Sequence, residues 1–118
     1  TSGGGVIINN ASTVSHRGSH RAGPAYVAAK HGVLGLTKQA AIQYVQHNIR
    51  VNAVSPGGIY NPAVPQGDDF IKHYSFRCPM KRMADSKEMI GGILYLSSNA
   101  ASYTTGHNIV IDGGMSSW

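Results

Sequence analysis

The chain has 118 residues, enough for one domain whose compact form hides roughly two-thirds of the surface its extended chain exposes. Its apolar content of 42% and 15 scattered glycines suit a globular α/β protein and exclude a low-complexity one. Ten basic residues against 5 acidic ones give a net charge of +5, but only Lys81 and Arg82 are adjacent and no aromatic residues interleave a basic run. That argues against a nucleic-acid surface and leaves a weak preference for anions or phosphate.

Cys78 is the single cysteine, which excludes an intrachain disulfide, and no Cys/His spacing suggests a metal site. The apolar runs fall short of the roughly 20 residues that a membrane span needs, and the opening "TSGGG" lacks signal-peptide character. The expectation is a cytoplasmic protein without metal, membrane or nucleic-acid partners.

In chain order, residues 1–5 read as a Gly-rich loop entered midway. "VIIN" from Val6 is a short β-branched run with the pattern of a buried parallel strand. From Ala25 to about Gln46 the spacing turns helical, with Ala29, Val33, Leu36, Ala40 and Tyr44 on one line and Val27, Leu34 and Ala41 on a second. So broad an apolar face predicts cover from the sheet on one side and from a partner subunit on the other. "IRVNAVSPG" from Ile49 to Gly57 is a second buried strand that stops at Pro56-Gly57, because proline cannot donate to a ladder.

Residues 58 to about 84 read as a long irregular segment with a helical turn around Phe70 to Tyr74. A connection of that length is usually a lid or binding loop, and Phe70, Tyr74, Phe76 and Met80 supply apolar surface for one. Asp85 or Ser86 then caps a helix running to about Ser98, with Ile90, Ile93, Leu94 and Leu96 turned inward. "HNIVIDGG" closes with a third strand and a tight turn. The order strand, helix, strand, loop, helix, strand predicts an α/β fold with a parallel sheet and right-handed crossovers.

The segment "NNASTVSHRGSHRAGPAYVAAK" from Asn9 to Lys30 holds the chemistry. Tyr26 and Lys30 are four apart at the start of the long helix and project from one face. A phenol is a poor base at neutral pH, but a neighbouring ammonium favours its charged form, and a helix N-terminus acts in the same direction. A hydroxyl after the preceding strand, Ser12 or Thr13, could hold a substrate oxygen beside that phenol. Each feature alone also fits a bland role: a tyrosine at the edge of the core, a solvated lysine, a turn serine. His31, His47, His73 and His107 share no ligand spacing and read as surface or loop residues, whereas His16 and His20 lie in a loop from which they could touch substrate.

"NNAS", "YVAAK", "NAVSPG" and "IDGG" together resemble the C-terminal half of a short-chain dehydrogenase/reductase, over essentially the whole chain. The resemblance implies a Rossmann-like, doubly wound parallel sheet and NAD or NADP as cofactor, with an alcohol or carbonyl compound as the small-molecule substrate. It implies Tyr26 as the acid/base, Lys30 as its partner and as a hydrogen-bond donor to the nicotinamide ribose, and Ser12 as the group steadying the substrate oxygen. Pro56, Gly57 and Ile59 would line the nicotinamide pocket, and Asn61 stands where the family commonly places a threonine that bonds the carboxamide. The family's spacing of about thirteen residues from serine to tyrosine lands on Thr13. The spacing from Asn9 favours Ser12, and one extra residue in "SHRAGP" reconciles the two, so Ser12 is preferred while Thr13 stays open.

The phosphate-binding turn, the selector of NAD against NADP and a fourth catalytic residue belong to the family's N-terminal half. They are expected to lie outside this chain, which reads as a fragment that binds dinucleotide poorly by itself. Two other functions compete with the oxidoreductase: a truncated, non-catalytic member acting through its oligomerisation helix, and a basic RNA- or DNA-binding module. In full-length form a homo-oligomer is expected.

Overall fold

The computed structural model describes residues 3–118. Three strands, β1 (Gly5–Asn10), β2 (Ile49–Pro56) and β3 (Asn108–Ile111), form one parallel sheet in the order β1-β2-β3. The register sets Asn10 against Val54, and Val54 in turn against Ile109. Three α-helices accompany them: α1 (Pro24–Tyr44), α2 (Asp68–Arg77) and α3 (Ile90–Ser97).

The central strand explains the composition of its segment. Val51 to Ser55 are all buried, because β2 has a neighbour on each edge and cover on each face, which is why its sequence runs apolar instead of alternating. Asn52, fully buried, donates from Nδ2 to the Thr104 carbonyl at 2.9 Å and accepts the His107 amide at 2.9 Å. A buried amide is tolerated only when its bonds are made, and here they tie the approach to β3 onto β2.

Side-chain alternation assigns the faces. Asn9 of β1 donates to Thr37 of α1 at 2.9 Å. On the next residues of the alternate face, Asn10, Val54 and Ile93 line a common cavity, and Gly92 of α3 lies against Ile109 and Ile111. Helices α1 and α3 therefore cover opposite faces. Since the strand order advances in one direction at both steps, the two crossovers differ in hand, and the expectation that both are right-handed fails for one. The preference for right-handed crossovers acts on a helix fed directly by a twisted strand. The β2-to-β3 connection inserts α2 and its flanking turns before α3, which relaxes that constraint.

Two further expectations are corrected. The segment after β2 holds a ten-residue helix, α2, where the sequence suggested a single turn; Asp68 and Asp69 favour its N-terminus and Arg77 its C-terminus. In α3, only Leu96 is fully buried, whereas Ile90, Ile93 and Leu94 are 49%, 42% and 60% exposed. The start of that helical stretch is fixed by Asp85, not Ser86. Asp85 accepts the Lys87 amide at 2.9 Å and Glu88 accepts the Asp85 amide at 2.8 Å, a reciprocal cap that Arg82 braces with two bonds to the Glu88 carboxylate. That partnership, with the Arg82 bond first and the Asp85 amide second, holds the Glu88 carboxyl down at about 2.

The sign of the resulting pH dependence follows from the lowered value. The cap contributes fully above the ordinary glutamate range and is lost as pH falls toward about 2. A Glu88→Gln variant should melt slightly below the parent near neutral pH, the difference being small because both partners are exposed. The difference should close in strong acid; thermal melts at several pH values check it. The isolated chain should also associate, because β1 is paired only with β2 among the described residues and Leu36 and Ile42 of α1 are 60% and 73% exposed. Size-exclusion chromatography giving a monomer with a cooperative melt would contradict this.

Candidate active site

Strands β1 and β2 end side by side, the Ala11 amide donating to the Val54 carbonyl at 2.8 Å. Ser12 follows immediately in extended conformation and caps a short 3-10 turn, Thr13–Ser15. Its Oγ accepts the Val14 amide at 3.3 Å and its own amide donates to Ser15 Oγ at 2.9 Å. Ser12 remains half-buried while Thr13 is buried, so the hydroxyl nearest the strand end keeps some access to solvent.

Helix α1 opens with Pro24 at a position where the missing N–H has no helical partner to lose. Tyr26 stands in its first turn, 49% exposed, and Lys30 follows one turn later. Lys30 Nζ donates to the Asn10 carbonyl at 3.0 Å and lies 5.8 Å from the centre of the Tyr26 ring. The ammonium is thus held at the end of β1, close to the phenol.

Ser12, Thr13, Tyr26 and Gly57 line one cleft of about 680 Å³, whose far wall is Phe70 and Tyr74 of α2. Pro56 and Ile59 line a second, smaller cavity of about 330 Å³ beside Asn10, with Met89 and Ile93. The structure therefore gathers the sequence-derived residues at the carboxyl ends of β1 and β2, where open α/β sheets place ligands. Asn61 lies in neither cavity. It is exposed, its Oδ1 accepting the Ala63 amide at 3.0 Å and its own amide donating to Gln66 at 3.0 Å, which makes it a turn residue in this conformation.

Sequence reading assigned Tyr74 only to apolar lid surface. Its hydroxyl accepts the Gly58 amide, and its ring lies so close to the turn after β2 that a Cβ on Gly58 would come within 2.6 Å of it. A Cβ on Gly57 would meet the Tyr74 hydroxyl and Asp112. The two glycines are needed for this close approach. Burial pushes the Tyr74 phenol above its ordinary range, against the opposing bond from Gly58. The four-residue spacing of Phe70 and Tyr74, facing a Gly-Gly pair, was the available signal; only the helix length made it usable.

The closing "IDGG" supports the same corner. Asp112 accepts the Gly114 and Ser116 amides at 2.9 and 2.8 Å, and Gly113 and Gly114 adopt φ of +62° and +85°, where glycine is unstrained. Burial alone would raise the Asp112 carboxyl, but the Ser116 and Gly114 bonds and the Arg17 charge together hold it below its ordinary range. Arg17 donates to the Met115 carbonyl at 3.1 Å, joining the loop after β1 to the chain's last turn. Among the described residues no group of three or more metal-ligating side chains exists, and no helix is long and apolar enough to cross a membrane.

Comparison with known proteins agrees with this architecture. Residues 1–116 match a family model described as Enoyl-(Acyl carrier protein) reductase. D-arabinitol 2-dehydrogenase [ribulose-forming] of Candida albicans (strain WO-1) is 47% identical over 98 residues, which are 79% of this chain and 35% of the relative. A gluconate 5-dehydrogenase from Burkholderia cenocepacia J2315, in complex with NADP and tartrate, superimposes with a TM-score of 0.90 at 28% identity, covering 98% of this chain and 46% of that one. A short chain dehydrogenase from Leptospira borgpetersenii with bound NAD+ gives a TM-score of 0.86 at 34% identity, covering 94% of this chain and 44% of that one. The chain thus spans between about a third and a half of the length of these proteins. With the match running through both strand ends, the Tyr26–Lys30 turn and the closing Asp112-Gly113-Gly114, the chain belongs to the short-chain dehydrogenase/reductase family.

Proposed function

We propose that these residues form the catalytic and substrate-binding half of a nicotinamide-dependent oxidoreductase acting on an alcohol or carbonyl compound. The observation that carries this reading is the common cleft of Ser12, Tyr26 and Gly57, with the Lys30 ammonium fixed between the Asn10 carbonyl and the Tyr26 ring.

In this reading Tyr26 gives or takes the proton at the substrate oxygen, and Lys30 places positive charge beside the phenol as its proton leaves. Ser12 steadies the substrate oxygen; its half-buried position suits that task better than the buried Thr13. Tyr74 and Gly58 shape the opposite side of the cleft. When bound, NAD or NADP would supply the hydride acceptor or donor. The apolar cavity beside Asn10, with Pro56, Ile59 and Ile93 on its walls, fits one flat face of a nicotinamide ring, and Lys30 is bonded to the carbonyl of Asn10, which lines it. Asn61 would have to leave its turn to reach a carboxamide.

Among the described residues no Gly-rich turn joins a strand to a helix, so the diphosphate and the choice between NAD and NADP would fall to residues outside this segment. The relatives named for D-arabinitol and gluconate support a polyhydroxylated substrate. The exposed Leu36 and Ile42 of α1 support a homo-oligomer through that helix, and a cytoplasmic setting completes the reading.

In the full-length protein, Tyr26→Phe should lower kcat by about 10²- to 10⁴-fold with little change in KM, followed as cofactor reduction by an alcohol substrate. Undiminished turnover would remove Tyr26 from the chemistry. Ser12→Ala should cost more in kcat than Thr13→Ala; equal and mild losses in the two variants would mean that no single hydroxyl steadies the substrate.

A further inference from the structure

Three arginines line the cleft that holds Tyr26, Arg17 and Arg21 from the loop after β1 and Arg77 from α2, while no carboxylate lines it. Arg17 is engaged by the Met115 carbonyl and acts on Asp112, so its charge is partly spent within the protein. The others are different. Arg21 stacks over Phe70 at 5.2 Å from the ring centre, which holds its guanidinium at the cleft while leaving its N–H donors free for a ligand. Among the described residues the only ion pair is Arg82–Glu88, neither member of which lines this cleft, so neither Arg21 nor Arg77 is ion-paired there. Asp68 and Asp69 occupy the first turn of α2 and do not line the cleft.

A cleft with walls of one sign concentrates counter-ions, and guanidinium forks suit carboxylate and phosphate groups. We infer that the substrate carries an anionic group, carboxylate or phosphate, which Arg21 and Arg77 hold while the reacting hydroxyl or carbonyl carbon sits at Tyr26. This rests on the oxidoreductase reading above and narrows its substrate class from alcohols in general to hydroxy or oxo acids and their phosphate-ester counterparts. A neutral polyol would leave these charges without a partner at the point where the substrate binds.

Binding can be separated from turnover. Three compounds built on one hexitol chain serve as probes for the full-length protein: neutral D-glucitol, the carboxylate D-gluconate and the phosphate ester D-glucitol 6-phosphate. Isothermal titration calorimetry at low salt should give at least one anion an affinity about tenfold or more above that of D-glucitol, and the better anion identifies the group recognised. In an Arg21→Gln/Arg77→Gln variant that ratio should fall by about tenfold or more, whereas Lys38→Gln, which removes an exposed charge that does not line the cleft, should leave it unchanged. Anions binding no better than D-glucitol, or a ratio untouched by the double substitution, would overturn the inference. Turnover of D-glucitol alone would then leave the oxidoreductase reading standing. Anion binding lost in the double variant, with no compound turned over, would support the anion site and count against the oxidoreductase reading instead.

Discussion

Parallel pairing of β2 on both of its edges is the constraint on which the rest of this structure depends. Val51 to Ser55 are buried, and a shift of one residue would take the buried Asn52 away from Thr104 and His107, to which it is bonded. That register places Asn10 against Val54 and ends β2 at Pro56 against Ile111. Everything chemical in the molecule follows from where those ends fall: Ser12 beyond β1, Gly57 and Gly58 beyond β2, and Asp112 beyond β3.

The polar residues of the recurring motifs serve this framework before they serve any reaction. Asn9 ties β1 to α1 through Thr37, Asn52 secures the approach to β3, and Asp112 closes the last turn over two glycines in left-handed conformation. Each is a buried or half-buried group whose hydrogen bonds are satisfied, which is what permits such groups in a core this small. The framework then leaves the ends of β1 and β2 open to the cleft, and the bond from Lys30 to the Asn10 carbonyl fixes the ammonium beside them.

Helix α2 gives the cleft its second wall and much of its character. Its tyrosine seats on Gly58, and the contact exists only because two consecutive residues after β2 lack a Cβ. The same helix turns His73 and Arg77 toward the loop that carries His20 and Arg21. Two segments that are far apart in sequence thereby bring the guanidinium groups of Arg21 and Arg77 to one cleft. Outside that corner the apolar residues Ile90, Ile93 and Leu94 of α3 and Leu36 and Ile42 of α1 are open to solvent.

The order of strands and long helices was legible in the sequence because it rests on local properties: the β-branched runs of β1 and β2, the spacing of apolar residues along α1, proline at the end of a strand. The family was legible for a similar reason, since its motifs are short and contiguous, and the resemblance put forward Ser12, Tyr26 and Lys30 as site residues while spacing left Thr13 open beside Ser12. Other features were set only by tertiary structure. The faces that α1 and α3 cover, and hence the opposite hands of the two crossovers, depend on packing across the sheet. The outward position of Ile90 and Leu94 depends on what lies beside α3, which helical periodicity cannot register. The cationic wall and the seat of Tyr74 on Gly58 are long-range juxtapositions, and no property of either segment by itself announces the other.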